Sequence, residues 1–487
     1  MERLVLELKE IEVTFLDRII LDIKDLRVHQ FDRIGIVGKN GSGKSTLLKL
    51  MNGGLKPERG SINRKIEFGY FEQKKAPSVK EGTDYKLLGQ LQVPDHQHEL
   101  SGGEQTRLKL AQLLSDYHEG LLIDEPTTHL DKTGIDFLIG ELRYYYGALI
   151  LVSHDRYVLD QLVTKIWEVY DGQITEYTGN YSDYEKQKKI EWEQQQERHE
   201  NYVKEKQRLL AAAEEKMKKA SKITQAKQSG GKKEAYSNAN RMYMTKQKDT
   251  SQKAVQKAAK ALEKRVEQLE EVTPVETETS IQFPQSEQLQ LHNRFPIMAD
   301  QLTLNAGDKN LVENVSFQFP LGKTIAINGL NGSGKSSLLE HIVRHGEGMT
   351  ISPKVKFGVF GQLNYQTVGD ETVLSYMRKN SDFEESHIRA ILHEMNFSGT
   401  DLIKEVSQLS GGEIIRLQLC QLFAGAYNVL VLDEPTNFLD LRSMKALEKF
   451  LLQYKGTVLL VSHDREFVTR VADTVYKING KNIIRVK

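Results

Sequence analysis

Short, wholly apolar runs separated by amphipathic stretches dominate both ends of the chain. Ile34-Gly35-Ile36-Val37, Leu121-Leu122-Ile123, Ala148 to Val152 and Val429 to Leu432 are strand-length and continuous rather than alternating, and each runs into a polar or Gly-rich turn. Continuous apolar strands are those covered on both faces. With helices between them, such as Ser45 to Met51, they predict a mostly parallel sheet and an α/β fold. The N-terminal Met1 to Glu7 alternates like a strand and has no signal-peptide core. No run approaches the roughly 18 residues that a membrane-spanning helix needs. The 487 residues are 39% hydrophobic and 28% charged, with a mean hydropathy of −0.49. These values describe a soluble globular chain of two to four domains, and argue against a secreted protein or a transporter carrying its own membrane domain. The single cysteine, Cys420, sits in the apolar helical pattern of Leu417, Leu419, Leu422 and Phe423. It predicts a small buried core residue and fits a reducing, cytoplasmic setting.

The chain repeats itself. Gly38-Lys39-Asn40-Gly41-Ser42-Gly43-Lys44-Ser45 returns 291 residues on as Gly329-Leu330-Asn331-Gly332-Ser333-Gly334-Lys335-Ser336. Leu100-Ser101-Gly102-Gly103-Glu104, Asp124-Glu125-Pro126-Thr127 and Ser153-His154-Asp155-Arg156 all return 309 residues on, the first as Leu409-Ser410-Gly411-Gly412-Glu413. The second copy therefore holds about 18 extra residues before its Leu-Ser-Gly-Gly-Glu. A duplicated domain with a long connector follows: residues 1–183, a connecting arm over 184–272, a connector over 273–296, and a second copy over 297–487.

A Gly-x-x-x-x-Gly-Lys-Ser segment after a strand and before a helix is a phosphate-binding loop. Its glycines let backbone N–H groups turn toward phosphate oxygens, aided by the helix N-terminus. Residues Gly38 to Thr46 and Gly329 to Ser337 would cradle ATP. Lys44 and Lys335 would reach the β- and γ-phosphates, and Ser45 and Ser336 would hold Mg²⁺. Asp124 and Asp433, at strand ends, would complete the metal site. Glu125 and Glu434 are placed to polarise a water for attack on the γ-phosphate, and His154 and His463 to contact that phosphate. Ser-Gly-Gly opening a helix at Ser101-Gly102-Gly103 and Ser410-Gly411-Gly412 provides further anion-binding ends.

The connecting arm is poor in Pro and Gly. Val255, Ala259, Leu262, Val266 and Leu269 form a heptad-like seam, as do Trp192, His199, Tyr202, Lys206, Leu209 and Ala213. Two antiparallel helices are predicted, joined by a tip around Ser221 to Thr250 that contains Gly230-Gly231. Each arm is about 50 Å long at 1.5 Å per residue. The formal charge is zero, with 67 basic and 67 acidic residues. Yet Lys216 to Lys260 holds 13 Lys and Arg against Glu234 and Asp249, interleaved with Tyr236, Met242 and Tyr243. A basic run can be a solvated helix face; at the far end of a hairpin it points to a phosphate-rich, RNA-containing partner.

The ordered motifs resemble an ATP-binding cassette domain, present twice: phosphate loop, a glutamine at Gln73 and Gln362, Leu-Ser-Gly-Gly, Asp-Glu-Pro-Thr and a following His. The resemblance implies a monomer with an intramolecular head-to-tail cassette pair. Lys44 would face Ser410-Gly411-Gly412, and Lys335 would face Ser101-Gly102-Gly103. Two ATP would bind there with Mg²⁺, Gln73 and Gln362 lying beside the metal. Phe15 sits where that family stacks adenine; the comparable Leu304-Asn305-Ala306-Gly307 has no aromatic.

A tandem cassette pair with a charged hairpin linker resembles the ABC-F proteins. Stretches such as Gly134 to Gly140, Gly179 to Tyr184 and Asp433 to Asp440 resemble their Msr-type resistance members. That resemblance implies a ribosome-associated ATPase. It would bind the E site of the bacterial 70S ribosome with its tip directed at 23S rRNA and peptidyl-tRNA in the peptidyl-transferase centre, displacing macrolide- or streptogramin-type drugs. No membrane-domain partner, no large inserted arm in the first cassette and no C-terminal extension are expected. A housekeeping ABC-F translation factor and the tandem ATPase subunit of an importer are the competing readings.

Overall fold

The computed structural model describes all but residues 1, 16–17, 74–82, 92, 94–99, 101, 129, 229–253, 255–256, 273–290, 308, 362–369, 382 and 438, with the backbone alone at 219–228 and 309. Ser101, Gln362, Gly230-Gly231, most of the basic run and most of the 273–296 connector lie outside the described residues.

One compact unit spans Met1–Tyr184 and Thr279–Lys487; a second spans Glu185–Glu278. In the first half, strands β1 (Leu4–Phe15), β2 (Arg18–His29) and β4 (Arg59–Arg64) form an antiparallel sheet in the order β2-β1-β4. Strands β3 (Arg33–Gly38), β5 (Phe68–Phe71), β6 (Gly120–Asp124), β7 (Ala148–Val152), β8 (Lys165–Tyr170) and β9 (Gln173–Thr178) form the second sheet, ordered β5-β6-β7-β3-β8-β9. All pairs in it are parallel except β8 with β9. The apolar runs are its central strands: every residue of β6 and β7 is buried, as strands covered on both faces must be. Helix α1 (Lys44–Asn52) buries Leu47, Leu48, Leu50 and Met51 in the cluster that joins the two sheets. Further helices are α2 (Tyr85–Gln90), α3 (Gly102–Leu114), α4 (Lys132–Arg143) and α5 (Arg156–Leu162).

The second half repeats this plan. Strands β10 (Ile297–Ala306), β11 (Lys309–Phe319) and β13 (Met349–Ile351) form the small sheet in the order β11-β10-β13. The larger sheet contains β12 (Thr324–Asn328), β14 (Phe357–Phe360), β15 (Val429–Asp433), β16 (Thr457–Val461), β17 (Thr474–Asn479) and β18 (Asn482–Arg485), in the equivalent order β14-β15-β16-β12-β17-β18. Helix α7 (Lys335–Val343) follows β12. Between β14 and α10 (Gly411–Ala424), the interval in which the first half has α2, this half has α8 (Val373–Lys379), α9 (Glu385–Glu394) and two 3₁₀ turns, Asp401–Ile403 and Val406–Gln408, which take up its extra residues. Helices α11 (Leu441–Gln453) and α12 (Arg465–Val471) complete it. Cys420 is fully buried in α10, as its apolar setting predicts, and burial pushes its thiol up. The two halves share a hydrophobic cluster that runs from Val37, Leu151 and Leu159 to Leu447, Phe450 and Val468.

Helix α6 (Tyr181–Gln228) is continuous for 48 residues. Its first turn is tied to α5: the Ser182 backbone N–H and hydroxyl both donate to the Asp160 carboxylate at 2.7 Å. The Tyr184 hydroxyl donates to Glu168 Oε1 at 2.9 Å. In the second unit the return arm is helical over 257–267 and antiparallel to α6, since His199 Nδ1 meets Val272 O at 2.8 Å while Leu210 to Lys218 share a cleft with Glu263. Leu209, Ala213 and Ala259 are buried, with Leu262, Val266 and Leu269 half-buried along the predicted seam. Trp192 departs from that seam: it is 46% exposed. His199 is already level with Val272, so Trp192, two turns nearer the helix start, has no facing turn of the described return arm to pack on.

No described helix is long and apolar enough to cross a membrane.

Candidate active site

Three neighbouring parallel strands, β6, β7 and β3, bring their carboxyl ends to one edge of the first sheet. Asp124 is level with Val152, and Val152 with Ile36. Ligands of open α/β sheets lie beyond such ends, and each strand here delivers one part: Asp124-Glu125 from β6, Ser153-His154 from β7 and the Gly38–Ser45 loop from β3. The same parts come from β15, β16 and β12 in the second half.

Each loop requires its glycines. Gly41 and Gly43 have φ of +78° and +102°, and Gly332 and Gly334 +71° and +97°, a region that L side chains avoid. A Cβ at Gly38 would stand 2.5 Å from Val169 O and 2.8 Å from Ser42 Oγ. The Lys44 ammonium donates back to Gly38 O and Lys39 O at 2.9 Å each, and Lys335 to Gly329 O and Leu330 O at 3.0 Å each. Both lysines are buried, which lowers their pKa, and the Ser42 and Ser333 hydroxyls are buried without a hydrogen-bond partner. Buried cations beside unpartnered hydroxyls and a helix N-terminus make a cradle that fits a phosphate chain.

The Ser45 hydroxyl bonds Asp124, and Ser336 bonds Asp433. Burial raises both carboxyls despite the nearby lysines, and Asp433 Oδ1 is buried without a hydrogen-bond partner. Among the described residues no cluster of three His, Cys, Asp or Glu gathers to hold a metal. A hydroxyl with one carboxylate, leaving other positions to water and phosphate, is the oxygen donor set suited to Mg²⁺. Gln73 lines the same cavity with its amide turned to Thr128 Oγ1 at 3.3 Å.

Glu125 and Glu434 are held in left-handed backbone conformations, φ +50° at each, an uncommon state for a side-chain-bearing residue. Hydrogen bonds from their N–H groups to Val152 O and Val461 O, 2.9 Å each, fix it. Each carboxylate turns toward the histidine that follows the next strand. His154 Nε2 is 3.3 Å from Glu125 Oε1, and His463 Nε2 is 3.2 Å from Glu434 Oε1. Burial pushes Glu125 up to about 8 and Glu434 up to about 7, and drives His154 down to about 3 and His463 down to about 4. Burial thus favours the neutral imidazole at both sites and makes each carboxylate, once ionised, a stronger proton acceptor than an exposed one.

Lys39 to Thr46 and Ser410-Gly411-Gly412 line one cavity of about 1580 Å³ with Gln73, Glu125 and His154, so this site is built by both halves. Ser410 caps α10 in a reciprocal box with Glu413: the Glu413 N–H donates to Ser410 Oγ at 3.4 Å, and the Ser410 N–H to Glu413 Oε2 at 2.8 Å. Gly102 and Gly103 open α3. Phe15 lines the cavity 68% exposed, free to cover a base. At the end of β10 the buried Leu304 turns inward and no aromatic is offered.

The motif reading missed Asp131 and Asp440. Each caps the helix after its Asp-Glu-Pro-Thr, and each also reaches the other half's phosphate loop: Asn40 N donates to Asp440 Oδ2 at 3.0 Å, and Asn331 N to Asp131 Oδ2 at 3.4 Å. Their 309-residue spacing was the available signal. Tyr170, 62% exposed in the cavity wall with the Lys39 ammonium 5.8 Å from its ring centre, was also missed.

Residues 21–85 and 312–437 match a family model described as ABC transporter, and residues 167–234 match a second model of the same description. The chain is 41% identical to the erythromycin resistance ATP-binding protein MsrA of Staphylococcus epidermidis, over 99% of both chains. It is 36% identical to the ribosome protection protein VmlR of Bacillus subtilis, over 92% of this chain and 82% of that one. The energy-dependent translational throttle protein EttA of Haemophilus influenzae is 29% identical over 92% of this chain and 87% of its own. Among solved structures, RNase-L Inhibitor superposes with a TM-score of 0.64 at 18% identity, over 98% of this chain and 90% of that one, a likeness of fold. Paired cassettes, duplicated phosphate loops and these relatives together make the chain a member of the ABC-F family, an ATPase of two ATP-binding cassettes joined by a helical insertion.

Proposed function

We propose that the protein is a cytoplasmic ATPase that protects the bacterial ribosome from antibiotics. The observation that carries the reading is its end-to-end likeness to an erythromycin resistance protein, at 41% identity with 99% of both chains aligned. The thirteen Lys and Arg between Lys216 and Lys260 suit an RNA-rich partner. The tip would enter from the E site toward the peptidyl-transferase centre, contacting 23S rRNA and peptidyl-tRNA and dislodging a macrolide or streptogramin.

Closure on ATP would give the ribosome-binding form, and hydrolysis would release it. Residues Gly38 to Thr46 with Ser410-Gly411-Gly412, and Gly329 to Ser337 with Ser101-Gly102-Gly103, would hold the phosphates, and Phe15 the first adenine. Ser45, Asp124 and Gln73, and Ser336, Asp433 and Gln362, would hold Mg²⁺, which when bound neutralises phosphate charge. Glu125 and Glu434 would take the proton of the attacking water, and the neutral His154 and His463 would orient that water or the γ-phosphate through Nε2.

The test is translation of a reporter stalled by a macrolide, with ATP and either the wild-type protein or Glu125→Gln/Glu434→Gln. Rescue by the wild type alone is expected, with the variant binding ATP and remaining on ribosomes. A variant that blocks translation while the wild type rescues nothing would favour a housekeeping role, as the likeness to a translational throttle protein allows. Replacing basic tip residues by Ala should weaken ribosome binding and flatten its salt dependence.

A further inference from the structure

The repeat makes the two ATP sites look equivalent, but the charged contacts that brace them are not. In each half the helix after Asp-Glu-Pro-Thr crosses to the opposite half at two points. Helix α11 does so first at its cap, where Asp440 accepts from Asn40 in the Lys44 loop. It does so again two turns on at Glu448, which takes the guanidinium of Arg156, Nη1 to Oε1 at 2.7 Å. Arg156 follows His154 and Asp155 directly and opens α5. Its side chain is 1% exposed and that of Glu448 10%. Arg470 reaches the other oxygen of Glu448 at 3.4 Å, and Asp464 and Glu466 also lie within electrostatic range of Arg156.

The mirror-image contact around the Lys335 site uses different residues. Helix α4 carries Asp131 at its cap, and then Asp136 rather than a counterpart of Glu448 receives Arg465 Nη2, at 2.5 Å. Those side chains are 47% and 30% exposed. The position equivalent to Glu448 is Ile139, and the position equivalent to Asp136 is Lys445. Neither pair is thus the copy of the other. A buried pair has few alternative partners and little water to replace its geometry, whereas an exposed pair exchanges readily with solvent.

We propose that Glu448 is a positioning residue acting across the cassette interface, holding Arg156 and with it the adjacent His154 in register with the Lys44 phosphate loop, so that the two composite ATP sites are braced unequally. The proposal rests on the assignment of Glu125 with His154 to the Lys44 site and of Glu434 with His463 to the Lys335 site. One helix fixes both the phosphate loop, through Asp440, and the histidine strand end, through Glu448. Loss of Glu448 would therefore loosen the histidine against the phosphate rather than weaken ATP binding.

The experiment isolates each site. In the Glu434→Gln background only the Lys44 site turns over; in the Glu125→Gln background only the Lys335 site does. Glu448→Gln is expected to lower kcat at the Lys44 site roughly tenfold to a hundredfold, as for a misoriented group, with KM for ATP little changed. At the Lys335 site it should change kcat less than about twofold, within the range of uncoupled substitutions. Arg156→Met/Glu448→Met removes both charges of the buried pair, leaving Arg470 paired with Glu466 and Asp464 capping α12 through the Phe467 N–H, and should show the same site-selective loss with a urea midpoint closer to wild type than Glu448→Met alone, which separates positioning from folding. Asp136→Asn should change kcat by less than about threefold at either site, as befits an exposed pair. A loss spread equally over both sites, or none at the Lys44 site, would overturn the proposal. Should the two single-glutamate backgrounds fail to silence one site each, it is the assignment of the glutamates that falls, an outcome distinguishable before Glu448 is altered.

Discussion

Asp440 has two separable jobs, and substitution can divide them. One carboxylate oxygen caps α11 through the Ser443 N–H at 2.8 Å, and the other accepts from Asn40 N in the opposite phosphate loop at 3.0 Å. An N-cap is worth about 1 kcal/mol, and Ser serves nearly as well as Asp. A hydrogen bond to a charged group contributes about 1.5–3 kcal/mol. Asp440→Ser keeps the cap, but its shorter side chain cannot also reach Asn40. Asp440→Ala loses both contacts. Measured with Glu434→Gln so that only the Lys44 site works, both variants should lose roughly tenfold to a hundredfold in kcat/KM, at about 1.4 kcal/mol per factor of ten. Urea unfolding should separate them: the Ala variant is expected to be about 1 kcal/mol less stable than the Ser variant. If Asp440→Ser hydrolyses ATP at the parental rate while Asp440→Ala is merely less stable, Asp440 is a helix cap and the contact across the interface is incidental.

Other outcomes follow from the same geometry. Gly38→Ala should abolish ATP binding at the Lys44 site, measured with a fluorescent nucleotide, because its Cβ would stand 2.5 Å from Val169 O. Glu125→Gln/Glu434→Gln should bind ATP with turnover reduced by roughly two to four orders of magnitude, the range for removal of a general base. Phe15→Ala should raise KM for ATP about threefold to tenfold, from the roughly 0.5–1.5 kcal/mol of an aromatic stack. Burial, with Asp464 nearby, pushes Asp155 up to about 7. The folded state then binds more protons than the unfolded chain between the ordinary carboxylate range and that value, so this group makes stability fall as pH rises through about 7. Asp155→Asn retains a good cap for α5 and removes the charge, and its urea midpoint should fall less than the wild type's between pH 6 and 8; parallel curves would refute the argument.

Much of this site is legible in one dimension because the chemistry is written twice. The loops around Lys44 and Lys335, the strand-end pairs Asp124-Glu125 and Asp433-Glu434, and the two Ser-His-Asp-Arg segments recur at fixed offsets. Their strands are apolar without alternation, since both faces are covered. What remained hidden is relational. Asp131 and Asp440 repeat as faithfully as the glutamates, but no pattern along a chain says that an acid will cap its own helix and at once accept from the other copy's loop. Arg156 with Glu448 is harder still to read, because Glu448 has Ile139 where a repeat would need its mate. Trp192 fell into the heptad spacing, yet a seam needs two sides, and the described return arm ends level with His199.

The Asp160–Ser182 clamp joins two helices of very different length. Helix α5 is only seven residues long. One end follows His154, and the other grips the first turn of a 48-residue helix through two 2.7 Å hydrogen bonds. A helix of that length spans roughly 70 Å at 1.5 Å per residue. One carboxylate, Asp160, thus anchors both the N–H and the hydroxyl of Ser182, so the short helix that begins beside His154 and the first turn of α6 are held by the same side chain.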